Sequence, residues 1–186
     1  MLSALNFKDI IVWRNKNMKF QDLNFTSGKI FIAMEYYFLI LNRTFLVVIG
    51  DSELIGLKIR GLISAENNSN LLASRATNHL AIKGSLDDPN SYINPKLLGK
   101  YAELDIQSSL VMEMDSSNFK IKFDDILDVY HDKRKKWGMG YYPHDGKIYV
   151  ETSVTNKELI ILGNQQGADI EKQLSSAIEK FRQFNI

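Results

Sequence analysis

The residue types best suited to chemistry in this sequence are one serine, one aspartate and one histidine. Gly50–Asp51–Ser52 closes the apolar run Phe45–Ile49, and Asp128-x-x-His131 lies further along. A serine hydroxyl becomes a nucleophile when a histidine takes its proton and a carboxylate orients that histidine. Ser52, His131 and Asp128 are the three side chains that would have to meet. The competing reading is local, since Gly–Asp–Ser between two apolar runs has the composition of a hairpin turn.

An apolar strand ending in Gly-Asp-Ser, with a later Asp-x-x-His, resembles the GDSL/SGNH hydrolases. That resemblance implies an esterase with Ser52 as nucleophile, His131 as its base and Asp128 behind the histidine. The sequence departs from the family pattern in three ways. Gly50 stands well inside the chain, the residues after it are strand-like with Gly56 and Gly61, and no Gly-x-Asn block supplies an oxyanion donor. The hairpin turn is therefore the expectation. No catalytic residue is assigned, and a serine esterase stays the lesser alternative.

The second chemical feature is His131–Asp132–Lys133–Arg134–Lys135–Lys136–Trp137, where four consecutive cations end in an aromatic ring. Such a loop gains ~1 kcal/mol per basic residue near an anionic membrane surface, and a tryptophan suits the interface. Lys133, Arg134, Lys135, Lys136 and Trp137 are accordingly the candidate ligand-binding residues. The plainer reading is a solvated hairpin whose charges keep a sheet edge from aggregating. His79, His131 and His144 are far apart and show no metal-ligand spacing, so no metal is assigned. His144–Asp145–Gly146 reads as a turn. Gly138-x-Gly140 is too short for a phosphate loop.

These residues need elements to hold them. Asp169 to Phe184 carries Ile170, Leu174, Ile178 and Phe181 at helical spacing, with charged residues on the other faces. Asp169 is the expected N-cap. Before it, Phe119, Ile121 and Phe123 alternate with Lys120 and Lys122. Ile126–Val129, Ile148–Val150 and Leu159–Leu162 are further short apolar runs, and Thr155–Asn156–Lys157 is turn-like. Such spacing predicts an antiparallel sheet or small barrel.

Tyr36 to Ile63 is expected to hold strands at 36–41, 44–49 and 54–60, turning at Asn42–Arg43–Thr44 and at Gly50–Asp51–Ser52. Ile55, Leu57 and Ile59 would face the core and Lys58 and Arg60 the water. A short helix is expected over Leu71 to Ala81, and a better one from Asn94–Pro95, where Asn caps and Pro opens the first turn. Ile30 to Ile49 is apolar enough to suggest a membrane span. Glu35 and Asn42–Arg43 make two buried strands the better account, because a charge at mid-bilayer costs at least about 2.5–3.5 kcal/mol.

The string FKIKFDDILDV, a basic loop, Gly138-Met139-Gly140, Ile148-Tyr149-Val150-Glu151-Thr152, Glu158–Leu162 and a closing helix together resemble a bacterial pleckstrin-homology-like (PH-like) domain. The resemblance covers about residues 36–63 and 104–184. It implies an α+β, mainly β fold: a strongly bent antiparallel sheet or partial barrel closed by a C-terminal amphipathic helix. Residues 1–186 would form one such domain, with an N-terminal extension at 1–35 and a partly helical insertion at 64–103. It implies binding or scaffolding more than chemistry, with no cofactor, through a protein partner or self-association. Peripheral binding to an anionic membrane surface is the alternative. The sequence carries 23 Lys and Arg against 22 Asp and Glu and no cysteine. Near-neutral charge argues against a nucleic-acid partner. The absence of thiols and of a secretory signal pattern leads to an expected cytoplasmic location.

Overall fold

Phe31–Met34, Phe45–Ile49 and Leu159–Leu162 are apolar at consecutive positions, not alternate ones. A strand of that kind has to be buried on both faces. The computed structural model of the chain describes residues 18–23, 27–38, 41–60, 88, 91, 93, 95–134 and 144–185. In it those strands sit in a sheet covered on each side. The strands are β1 (Ile30–Phe38), β2 (Leu41–Ile49), β3 (Glu53–Arg60), β4 (Phe119–Lys122), β5 (Ile126–Asp132), β6 (His144–Thr152) and β7 (Asn156–Leu162). The helices are α1 (Pro95–Tyr101), α2 (Ser109–Met114) and α3 (Gly167–Phe184).

All seven strands form one antiparallel sheet in the order β4-β3-β2-β1-β7-β6-β5. The edge strands β4 and β5 are separated in sequence only by the 3-10 turn Phe123–Asp125. A linker that short forces the two edges toward each other, so the sheet curls into a half-barrel. The turn is held by the Phe123 N–H, which donates to the Ser52 carbonyl at 2.9 Å.

Side-chain alternation then sorts the apolar residues into two cores. Phe31, Ala33, Phe45, Val47, Ile49, Leu54, Phe123, Ile148, Val150, Leu159 and Ile161 line the concave face, where Ile170, Leu174 and Ile178 of α3 pack on them. Ile32, Met34, Leu46, Val48, Ile55, Leu57, Ile59, Ile160 and Leu162 line the convex face, covered by Phe20, Tyr101, Ile106 and Val111. Asn118 fastens this outer layer. Its side chain accepts from the Lys58 N–H at 2.7 Å and donates to the Val111 carbonyl at 2.6 Å.

The junction of the two halves of the sheet is narrow. β1 and β7 pair only at Ala33–Ile161 and Met34–Ile160. Gln165, just past the end of β7, extends the pairing with its side chain. Its amide accepts from the Ile32 N–H and donates to the Ile32 carbonyl, both at 2.8 Å. An amide is the side chain that can copy both groups of a backbone unit.

Several sequence expectations change. The first strand begins at Ile30 and the second opens at Leu41, so Asn42, Arg43 and Thr44 lie inside β2. They looked like a turn because they are polar. In fact Glu35 and Arg43 are opposite each other and form a cross-strand ion pair at 2.9 Å. Asn156 and Lys157 likewise open β7, and Lys157 reaches the same Glu35 at 2.8 Å. Helix α3 begins at Gly167, so Asp169 lies in its first turn and is not the N-cap. Ile55, Leu57 and Ile59 do face a core, but Leu54 and Gly56 face another, and Lys58 bonds Asp115 at 3.1 Å. The helix expected at Asn94–Pro95 is α1, whereas the one expected over Leu71 to Ala81 lies outside the described residues. No helix among the described residues is long and apolar enough to cross a membrane.

Two independent cores make a direct prediction. Leu46→Ala on the convex side and Leu54→Ala on the concave side should each lower unfolding free energy by about 2–5 kcal/mol. Urea denaturation measures both. A sheet with one core would show the loss for Leu54→Ala alone.

Candidate functional site

Ser52, Asp128 and His131 do not assemble. Gly50, Asp51 and Ser52 form the β2–β3 turn, where the Gly50 N–H donates to the Glu53 carbonyl at 2.9 Å and Ser52 is exposed. Asp128 faces solvent on β5 and accepts from its own neighbour, the Val129 N–H, at 2.9 Å. The His131 side chain is only 2% exposed. Its Nε2 lies against the Asp145 backbone carbonyl, and the ring rests on Gly167, where a Cβ would collide with it.

The histidine is instead part of a structural latch. Asp145 Oδ2 accepts from the Gly167 N–H at 2.7 Å, and Gln166 makes no side-chain cap. An aspartate remote in sequence thus takes one of the unpaired donors at the start of α3. His144, Asp145 and Gly146 are not a free turn. They begin β6 at a register shift, with Gly146 at a φ of 77°. A left-handed residue beside a register shift re-aims the strand, and this places Asp145 against the helix start.

Of the basic-loop residues, Lys133 and Arg134 are described and exposed, while Lys135, Lys136 and Trp137 lie outside the described residues. Arg134 is already paired. Its Nε and Nη2 donate to the two Asp132 oxygens at 2.9–3.1 Å. Lys147, on β6, adds an ion pair to Asp132 at 3.2 Å. The side-chain and backbone hydrogen bonds from Arg134, joined by those from Lys147, hold the Asp132 carboxyl well below the ordinary aspartate range. Burial would lower the Lys147 ammonium, but its bonds to Tyr149 and Asp132 outweigh that and raise it.

The most distinctive surface is one that motif reading overlooks. On the convex side of β5 and β6, Asp132 stands opposite Lys147, Tyr130 opposite Tyr149, and Asp128 opposite Glu151. The two tyrosine rings stack with centroids 4.9 Å apart and planes at 18°. Tyr130 donates to Glu151 at 3.3 Å, and Tyr149 to Glu158 at 2.9 Å. A bulge at Leu127 gives that residue no partner on β6 and leaves it 68% exposed. Neither the outer core nor the inner core includes any of these side chains. The signal in the sequence was the paired alternation Asp128-Val129-Tyr130 and Tyr149-Val150-Glu151. It is visible only once those two strands are known to be neighbours in that register.

Among the described residues no group of His, Asp and Glu converges as metal ligands. No protein-family model matches the chain, no curated protein is significantly similar to it, and no solved structure matches it significantly.

Two tests follow. Because Asp132 stays ionised to lower pH in the folded chain than in the unfolded one, its contribution is present above the usual aspartate pKa of about 3.9 and fades as pH falls below it. Unfolding stability measured between about pH 2 and 5 should therefore slope less steeply in Asp132→Asn than in wild type. Any turnover of p-nitrophenyl acetate should be unchanged in Ser52→Ala. A rate that depends on Ser52 would restore the hydrolase reading.

Proposed function

We propose that the chain is a non-enzymatic, PH-like binding module that acts through protein–protein contact. Its contact surface is the exposed part of the convex face of β5 and β6, around Leu127, Asp128 and Tyr130. The observation that carries this reading is the difference between the two halves of the sheet. The convex side of β1, β2, β3 and the end of β7 is packed under Tyr101, Ile106 and Val111. The convex side of β5 and β6 presents the exposed Leu127 and Tyr130, with Tyr149 half-buried beside them. Apolar and aromatic groups left together on a surface mark contact sites, and tyrosine is enriched in them.

The geometry favours the face over the bare edge of β5. That edge is blunted where it begins. Arg182 of α3 donates to the Ile126 carbonyl at 2.6 Å, and Asp128 takes the Val129 N–H. A bulge, an arginine and an aspartate together discourage strand addition there. A small-molecule site has less support. The depression on α3, about 480 Å³, is lined by Ala168, Glu171, Lys172, Ser175, Ser176 and Glu179, which are small or charged and open to solvent. Ligand pockets are enclosed and mostly apolar. Anionic-lipid binding stays the alternative: Arg134 is bound to Asp132 and the neighbouring strands expose carboxylates, while Lys135, Lys136 and Trp137 lie outside the described residues.

The test is affinity capture followed by rebinding. A partner recovered by the wild-type chain, identified and purified, should bind with a Kd of about 10 µM or tighter. Leu127→Asp combined with Tyr130→Ala should weaken it at least about tenfold, as hot-spot residues do. Glu171→Ser with Lys172→Ser on α3 should leave it unchanged. Binding indifferent to the β5 substitutions, or seen only with anionic vesicles, contradicts the reading.

A further inference from the structure

We infer that the partner of this face is a cationic polypeptide segment, rich in arginine or lysine with an apolar residue beside them. This rests on the protein-binding reading above and specifies its chemistry.

One contact of this kind is made within the chain itself. The rows of the face run side by side along β5 and β6. In the first row, Asp132 is matched by two cations of the chain itself, Arg134 and Lys147. The Lys147 ammonium also lies 5.4 Å from the Tyr149 ring centroid. Carboxylate, tyrosine and cation are thus combined within the molecule. Further along the face, Tyr130 and the carboxylates Asp128 and Glu151 are met by no cation among the described residues. Tyr130 is stacked on Tyr149, and Asp128 stands opposite Glu151. Asp124 and Asp125 are exposed just before β5. The contacts of Asp128 and Glu151 are with the Val129 N–H and the Tyr130 hydroxyl, and neither is a cation.

The electrostatics agree with that pattern. Like carboxylates facing each other across a strand pair repel, and Asp128 and Glu151 are such a pair. An arriving cation removes that repulsion. Tyr130 donates a hydrogen bond to Glu151, and its phenol is neutral near pH 7 as any ordinary tyrosine is. A neutral tyrosine beside carboxylates favours a guanidinium, which can stack on a ring while it bonds an acid. Leu127, turned outward by its bulge, supplies the apolar anchor. The whole chain is near neutral, so attraction to cations would be local to this face and not a property of the molecule as a whole.

Fluorescence anisotropy with three synthetic ten-residue peptides tests this: alternating Arg and Leu, alternating Asp and Leu, and alternating Ser and Leu. The Arg–Leu peptide should bind at least about tenfold more tightly than the other two, and weaken as salt rises from about 50 to 200 mM. Asp128→Asn with Glu151→Gln should reduce its binding about tenfold, on the scale of two or three partly exposed ion pairs. Glu171→Gln with Glu179→Gln on α3 should leave it unaltered. Circular dichroism confirms that the variants are folded. Equal binding of the three peptides, or binding untouched by the β5–β6 substitutions, overturns the inference. So does sedimentation in which the protein associates with itself through Lys133 and Arg134 at this face. If the peptides fail while a captured partner still depends on Leu127 and Tyr130, only the cationic chemistry falls. If that dependence is absent too, the binding reading falls with it.

Discussion

A strand that is apolar at consecutive positions cannot leave either face in water, and β1, β2, β3 and β7 are of that kind. Burying one such face of a sheet is ordinary, and α3 does it with Ile170, Leu174 and Ile178. Burying the second requires another layer, which Phe20, Tyr101, Ile106 and Val111 provide from outside the sheet. Each large side chain buried in this way contributes roughly 1.5–3 kcal/mol. The arrangement of the rest of the chain follows from this double demand. It also explains why β5 and β6 differ. Their convex side chains are Asp, Tyr, Lys and Glu, and this side is exposed around Leu127, Asp128 and Tyr130, whereas the Lys147 and Asp132 side chains at its other end are mostly buried.

Polar groups hold the apolar layers in register. Gln165 continues β7 as a side-chain strand against Ile32. Asp145 caps α3 while His131 packs beneath Gly167. On the concave face Glu35 joins Arg43 and Lys157, and the Lys157 ammonium lies 4.2 Å from the Phe119 ring centroid. These groups are mostly half-buried, so their value is in fixing which strand lies beside which more than in raw stability. His131 belongs to this set. A sequence motif offered it as a catalytic base, and its position gives it a packing role.

The fold was legible because hydrophobic spacing reports secondary structure directly. Ile170, Leu174, Ile178 and Phe181 announced a helix, and the short apolar runs announced an antiparallel sheet. Failures came where polar residues carry a tertiary role. Asn42–Arg43–Thr44 imitated a turn because the partner of Arg43, Glu35, sits on another strand. Asp169 imitated a cap because the true cap, Asp145, is remote in sequence. The outer layer was hard to see because Val111 and Ile106 give it few apolar residues and no long period. The candidate site was least legible of all. Tyr130 and Tyr149 come together only through strand pairing, which composition does not encode. The basic loop, by contrast, was conspicuous in sequence, yet Arg134 is paired within the chain.

The central claim is that the middle of the sheet is covered on both faces, while among the described residues the Leu127–Tyr130 part of β5 is covered on one. Native-state amide hydrogen exchange tests it most directly. Amides of β1, β2, β3 and β7 should exchange only through global unfolding, and those of β5 through smaller local openings that cost markedly less. Amides of β2 and β3 that exchange as readily as those of β5 would contradict the account, because the outer layer would then not be covering the sheet.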